Sequence, residues 1–187
     1  MMSLRVSGGR YKGRTLRVAP GSTTRPSSQV VRAALFSIIS PQIENAKVLD
    51  LFAGTGSLGI EALSRGALKA HFVENNHKQF IALNKNLENF SLANETKVFP
   101  VSVEKALDTF TETYDVVFLD PPYDYPGVDN LVVKIIKSKI LVENGTIILE
   151  HSRRVSAPKE LPDVRLVKEK TYGDTQISIY EKVGSVC

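Results

Sequence analysis

Residues 47–66, KVLDLFAGTGSLGIEALSRG, constrain the fold more than any other stretch. A short apolar run ends in Asp50-Leu51-Phe52-Ala53, and Gly54, Gly56 and Gly59 follow at G-x-G-x-x-G spacing before an amphipathic helix. Such a turn lets backbone approach a ligand closely and presents N–H groups at a helix N-terminus. From Lys47 onward strand and helix alternate, which predicts an α/β, doubly wound, mostly parallel sheet with helices on both faces. Strands are expected at 47–52, 69–74, 96–101, 114–119 and 145–150. Helices are expected near 57–66, 77–89, 102–110 and 128–138, with Gly66 and Gly145 near helical ends. Val164–Thr171 and Gln176–Glu181, joined through Tyr172-Gly173-Asp174, add an antiparallel edge hairpin and bring the sheet to seven strands.

The fourth strand carries the second signal, YDVVFLDPPY at 114–123. Pro121 and Pro122 cannot continue a strand or a helix, so Asp120 is held at a strand's carboxyl end, where open α/β sheets bind ligands. This cluster suits an exocyclic amine on a nucleobase, whose lone pair is delocalised into the ring. Asp120 can accept one amino hydrogen and the Pro121 carbonyl the other, while Pro122 keeps that carbonyl out of an amide ladder. Holding both hydrogens favours a more tetrahedral nitrogen with its lone pair aimed at an electrophile. Tyr123 can stack on an extruded base. The plain alternative is a strand-terminating turn.

The glycine fingerprint admits NAD or S-adenosylmethionine. Asp50 favours the second: a carboxylate at the loop mouth repels a pyrophosphate and attracts an ammonium and a sulfonium. Glu74, ending the second strand twenty residues past Gly54, is placed for ribose hydroxyls. A chain of 187 residues also has no room for a separate dehydrogenase substrate domain. With the first and fourth strands adjacent at the switch point, the glycine loop and Asp120 are expected to face one cleft.

Charge distribution points to the partner. Residues 1–40 carry Arg5, Arg10, Lys12, Arg14, Arg17, Arg25 and Arg32 and no acid, whereas the rest of the chain has 17 bases against 20 acids. A basic arm on a mildly acidic body suits a nucleic-acid binder. The arm reads as a hairpin over 4–18, then a loop, then a helix capped at Ser27 or Ser28 and ended by Pro41. Its expected apolar face is Val30, Val31, Ala34, Leu35 and Ile38, which leaves Arg32 exposed. No apolar run approaches a membrane span, and the start MMSLRVSGGRYKGR lacks the apolar core of a secretory signal. One cysteine, Cys187, allows no internal disulfide, and a cytoplasmic setting is expected. His71, His77 and His151 show no metal-ligand spacing and read as surface or boundary residues, so no metal is expected. Nothing suggests an oligomer; a monomer is expected.

Together these residues resemble the bacterial small-subunit rRNA (guanine-N2)-methyltransferases, the RsmD family. The likeness rests on RVSGGRYKGRTL at 5–16, RPSSQVVRAALF at 25–36, VLDLFAGTGSLGIEALSRGA at 48–67, Glu74 and DPPY at 120–123. The resemblance implies a Rossmann-like S-adenosylmethionine-dependent methyltransferase domain at 41–187 behind a basic RNA-binding hairpin-plus-helix extension at 1–40. It implies N2-methylguanosine formation in 16S rRNA on an assembled or nearly assembled small subunit. Asp120, Pro121, Pro122 and Tyr123 match the family's catalytic tetrad, and Asp50, Gly54, Gly56 and Glu74 its cofactor positions. Phe52, Ala53, Asn75, Ser102 and Val103 complete the expected cofactor set; Arg5, Arg10, Lys12, Arg14, Arg25 and Arg32 make up the expected RNA contacts. The family often has Asn or Asp where Ser102 stands, and commonly an acid at Gln29 and Ala33, so a helix salt bridge to Arg25 or Arg32 is expected to be missing. An adenine-N6 methyltransferase acting on RNA or DNA, or a noncatalytic RNA-binding assembly factor, are the competing readings.

Overall fold

The computed structural model describes residues 4–19, 21, 26–122, 125–155, 157–161 and 163–183. Arg25, Tyr123 and Cys187, singled out above, lie outside the described residues. In chain order the strands are β1 (Lys47–Asp50), β2 (Lys69–Val73), β3 (Thr96–Phe99), β4 (Tyr114–Leu119), β5 (Leu141–Ser152), β6 (Glu160–Leu161), β7 (Val164–Tyr172) and β8 (Thr175–Lys182). The helices are α1 (Pro26–Ile38), α2 (Ser40–Ile43), α3 (Ser57–Ser64), α4 (His77–Asn89), α5 (Val103–Thr109) and α6 (Val128–Ser138). They build one sheet in the order β3-β2-β1-β4-β5-β8-β7-β6. The first five are parallel neighbours, and β8, β7 and β6 join by antiparallel pairing. The count is eight, not seven, because the two-residue β6 pairs with β7 at the edge. Strand order reverses between β1 and β4, the place where such sheets bind ligands.

Alternate strand residues serve two cores. Val48, Phe72, Val116, Phe118 and Ile148 pack with α1, α3 and α4 on one face; Leu49, Val73, Val117, Leu119 and Ile147 pack with α5 and α6 on the other. Burial on both faces explains why these strands read as continuous apolar runs.

Three local expectations change. Val31 and Leu35 of α1 are buried as expected and Ile38 packs against the same core, but the buried face also takes in Arg32 and Phe36 and continues to Ile39 just past the helix, and Val30 is 67% exposed. The bulk of Phe36 against Phe118 turns the helix that way, and Arg32 goes inside, 3% exposed, instead of out into solvent. Pro41 does not merely end α1; it stands in the first turn of α2, where its missing N–H costs nothing. Gly145 is no helix end but part of β5, where a bulge puts Leu141 to Thr146 opposite Tyr114 to Val116; α6 stops at Lys139, itself left-handed at φ 58°.

Residues 4–19 form a ribbon with one antiparallel bridge, Arg5 to Thr15, around a 3-10 turn at Gly9–Tyr11. Leu4, Val6 and Leu16 are buried in the same core as Val48. Ser64 Oγ takes the Tyr11 N–H at 2.9 Å and donates to the Gly8 carbonyl at 2.6 Å. Asn86 of α4 accepts the Arg17 N–H at 2.8 Å and donates to the carbonyls of Arg17 and Thr55 at 3.0 and 2.9 Å, tying ribbon to glycine loop.

Candidate active site

The β1–α3 turn is built by backbone geometry. Gly54 and Gly56 sit at φ +53° and +83°, and Gly56 caps α3. Gly59 is required for packing: a Cβ there would stand 2.2 Å from the Phe72 ring. The Gly59 N–H donates to Asp50 Oδ2 at 3.2 Å. Glu74 bridges the ends of β1 and β2, accepting the Gly54 N–H at 2.8 Å and the Asn76 N–H at 2.7 Å.

Asp50 is 1% exposed, and its Oδ1 has no hydrogen-bond partner. Burial, reinforced by the nearby Asp120 and Glu74 carboxylates, pushes its carboxyl up to about 7. Burial likewise raises Glu74, against the pull of its two backbone donors. Protein packed around Asp120 raises that carboxyl toward about 6; because solvent still reaches the side chain at the cleft mouth, the rise is at most that. Burial and the charge of Asp120 push Glu150 up to about 8, with Arg32 opposing them. Four carboxyls that all resist ionisation, one with a buried unpaired oxygen, fit a cationic ligand. The ammonium and sulfonium of S-adenosylmethionine meet that need.

Two cavities open at this end of the sheet. The first, about 290 Å³ including its mouth, is lined by Asp120, Pro121, Pro122, Val128, Glu150, His151, Ser152 and Val155. The second, about 300 Å³ on the same basis, is lined by Leu51, Phe52, Val73, Glu74, Asn75, Val101, Ser102, Val103, Glu104 and Tyr125. Phe52, Glu74, Asn75, Ser102 and Val103 thus share one wall, while Ala53, Gly54 and Gly56 form the turn and line neither of these two cavities. Ser102 Oγ accepts the Lys105 N–H at 3.3 Å as the cap of α5. The shared cleft expected above is a pair of cavities, and Asp50 feels a carboxylate of each: Asp120 in the first, Glu74 in the second.

At the DPP stop, the Pro122 carbonyl accepts the Tyr125 N–H at 2.9 Å. Among the described residues the Pro121 carbonyl accepts no backbone hydrogen bond. Tyr125 packs edge-on against Phe52 at 5.1 Å between centroids and hydrogen-bonds Glu104.

The basic side chains divide. Arg5, Arg10, Lys12 and Arg14 are exposed. Arg10 pairs with Glu95, and Arg14 donates to the Asn89 carbonyl at 2.6 Å and lies over the Phe90 ring at 4.1 Å. Arg32 is a correction: its Nε is 3.3 Å from Glu61 Oε2 and its guanidinium donates to the Arg5 carbonyl, so it faces protein, not phosphate. Nor is its helix salt bridge simply lost, because α3 supplies the acid. Glu61, fully buried, also accepts the Ser7 N–H and hydroxyl at 2.7 Å and Arg65 Nε at 2.8 Å. Its signal in the sequence was a lone acid inside the apolar run LGIEAL. Two histidines are likewise corrected. His71 is buried, with Nδ1 2.9 Å from the Tyr114 hydroxyl, and burial drops it to about 4; buried His151 has Nε2 3.0 Å from Ser178 Oγ. No helix among the described residues is long and apolar enough to cross a membrane, and none of their His, Cys, Asp and Glu side chains form a group of three or more that could hold a metal.

A pH dependence follows. Raised carboxyls bind protons in the folded state that the unfolded chain has released, so their stabilisation is lost as pH rises through the folded values. His71 acts oppositely, but only below its unfolded value of about 6.5. The free protein should therefore melt at lower temperature at pH 8.5 than at pH 6.5, through Asp50 and Glu150, and S-adenosylhomocysteine should bind more tightly over the same interval. Calorimetry at both pH values checks each sign.

Comparison with known proteins bears on the fold and the family. A family model described as conserved hypothetical protein 95 matches residues 4–181. Ribosomal RNA small subunit methyltransferase D of Haemophilus influenzae is 33% identical over 184 residues, spanning 95% of this chain and 93% of that one. The solved structure of yhhF from Escherichia coli superposes with a TM-score of 0.89 at 29% identity, covering 98% of this chain and 100% of that one. A Thermus thermophilus 16S rRNA N2 G1207 methyltransferase, RsmC, solved with AdoMet and guanosine, shares the fold: TM-score 0.70, 20% identity, 97% of this chain and 50% of that one. With the family model spanning residues 4–181 and Ribosomal RNA small subunit methyltransferase D of Haemophilus influenzae 33% identical over 95% of this chain, this protein is a member of the RsmD methyltransferase family.

Proposed function

We propose that this chain transfers a methyl group from S-adenosylmethionine to the exocyclic N2 amine of a guanine in 16S rRNA of the small ribosomal subunit. The observation that carries the reading is Asp120-Pro121-Pro122 ending β4 beside the buried, unpaired Asp50 oxygen. Bound S-adenosylmethionine supplies the electrophilic methyl group. Asp50 and Glu74 would hold its cationic and ribose ends, and Phe52, Asn75, Ser102 and Val103, which line the second cavity with Glu74, would enclose its base. Asp120 accepts one N2 hydrogen and the Pro121 carbonyl the other, so the nitrogen lone pair points at the methyl; Tyr123 is assigned the stack that fixes the base plane. After transfer the nitrogen is acidic, and Asp120 or water takes its proton. No strong base is needed, which suits a carboxyl held no higher than about 6.

Residues 1–40 serve as the RNA-binding extension and 41–187 as the catalytic domain, acting as a monomer in the cytoplasm. Arg5, Arg10, Lys12, Arg14 and Arg25 are assigned phosphate contacts, which orient RNA without reading sequence; Arg32 is withdrawn from that set. Lys12→Ala should weaken small-subunit binding and lower the slope of log affinity against log salt by about 0.7–0.9, one phosphate contact. Filter binding across a salt series measures it.

The deciding experiment is mass spectrometry of nucleosides from small subunits treated with enzyme and S-adenosylmethionine. N2-methylguanosine is expected. N6-methyladenosine would transfer the reading to the adenine amine, and no methylated nucleoside would leave an RNA-binding factor.

A further inference from the structure

A carboxylate beside an amine does not tell guanine from adenine, since both bases carry an exocyclic amine. We propose that Glu150 makes that distinction by accepting the N1–H of the target guanine while Asp120 accepts its N2–H. The inference rests on the guanine-N2 reading above and adds a specificity-determining residue to it.

The strand register brings the two acids together. β4 and β5 pair in parallel with Leu119 opposite Leu149, so Asp120 and Glu150 are the next pair along. Side chains two apart share a face, and Phe118 and Ile148 both belong to the core under α1 and α3. Both acids line the first cavity, with Pro121, Pro122 and His151. Among the described residues neither carboxylate accepts a side-chain hydrogen bond, and both border the cavity. Behind them Arg32 is buried in its pair with Glu61 and acts electrostatically on Glu150, offsetting the repulsion between neighbouring acids.

Two adjacent acceptors match two adjacent donors. On guanine the N2 amine neighbours N1–H; on adenine the N6 amine neighbours a bare N1 lone pair, which would face the acceptor oxygens of ionised Glu150. A site built to receive a donor discriminates strongly against an analogue lacking it.

2-Aminopurine keeps the N2 amine and lacks both N1–H and the C6 oxygen, so the part of the preference that disappears with Glu150 is the part that belongs to N1–H. Small subunits are reconstituted with rRNA carrying guanine or 2-aminopurine at the mapped target, and methyl transfer is measured at pH 8.5, above the value of about 8 for Glu150. The wild type should favour guanine by roughly ten- to hundredfold. Glu150→Ala should bring the ratio near one, chiefly by losing rate on guanine, and Glu150→Gln, whose amide oxygen still accepts N1–H, should retain most of it. An unchanged ratio in Glu150→Ala, or an equal loss on both bases in both variants, overturns the inference and leaves the guanine-N2 reading standing. Absence of N2 methylation by the wild type overturns that reading, and the inference with it.

Discussion

Asp120→Ala should cut methyl transfer to small subunits by roughly 10²–10³-fold, the range for removing one preorganised group that acts on charge developing in a transition state. Binding of S-adenosylhomocysteine should stay within a few-fold of wild type, because Glu74 and the Gly54 turn are untouched. Asp120→Asn keeps one acceptor oxygen and should fall between. Since only the carboxylate has full acceptor capacity, wild-type activity should climb as pH rises through about 6, and this limb should vanish in Asp120→Asn. Tritiated methyl incorporation and calorimetric cofactor titration separate rate from affinity. Near-normal incorporation by Asp120→Ala would remove the basis for the chemistry given above.

The largest stability effect is expected at Glu61. Its two oxygens take Ser7, Arg32 and Arg65 at full burial, so Glu61→Ala leaves the Arg32 guanidinium inside the core without its acid. Breaking one side of a buried pair costs about 3–5 kcal/mol. Urea unfolding should show that loss, and limited proteolysis should cut first within residues 4–19, which lose their anchor at Ser7. Glu61→Leu combined with Arg32→Met removes both charges and should recover most of the stability. A double variant as unstable as the single one would mean that the deficit comes from lost packing and not from a stranded charge.

The origin of the Arg32 misreading shows where sequence reasoning reaches its limit. Alternation of buried strands and amphipathic helices placed β1 to β5 and α3 to α6 to within a few residues, because each needs only local spacing. The glycine turn and the DPP stop were equally legible, since backbone rules dictate them. For α1, two apolar stripes compete along VVRAALFSII, and only tertiary contacts, Phe36 on Phe118 and Arg32 on Glu61, distinguish them. The partner of Arg32 lies 29 residues away on another helix, beyond the reach of any local pattern. Tyr125 and Glu104 were missed in the wall of the second cavity for the same reason: their contact across 21 residues exists only once the segment after β4 lies beside α5. Glu150 was visible as an acid ending a strand, but its closeness to Asp120 follows from register, which periodicity does not encode.

The edge-on contact between Phe52 and Tyr125 has a kinetic consequence. Phe52 belongs to the loop leaving β1, whereas the Tyr125 N–H is fastened to the Pro122 carbonyl. On the proposed function, a nucleoside entering between Phe52 and Val103 would press on the peptide segment assigned the acceptors for the amine. Turnover should accordingly follow a compulsory sequence, donor before ribosomal particle, with the demethylated by-product leaving last.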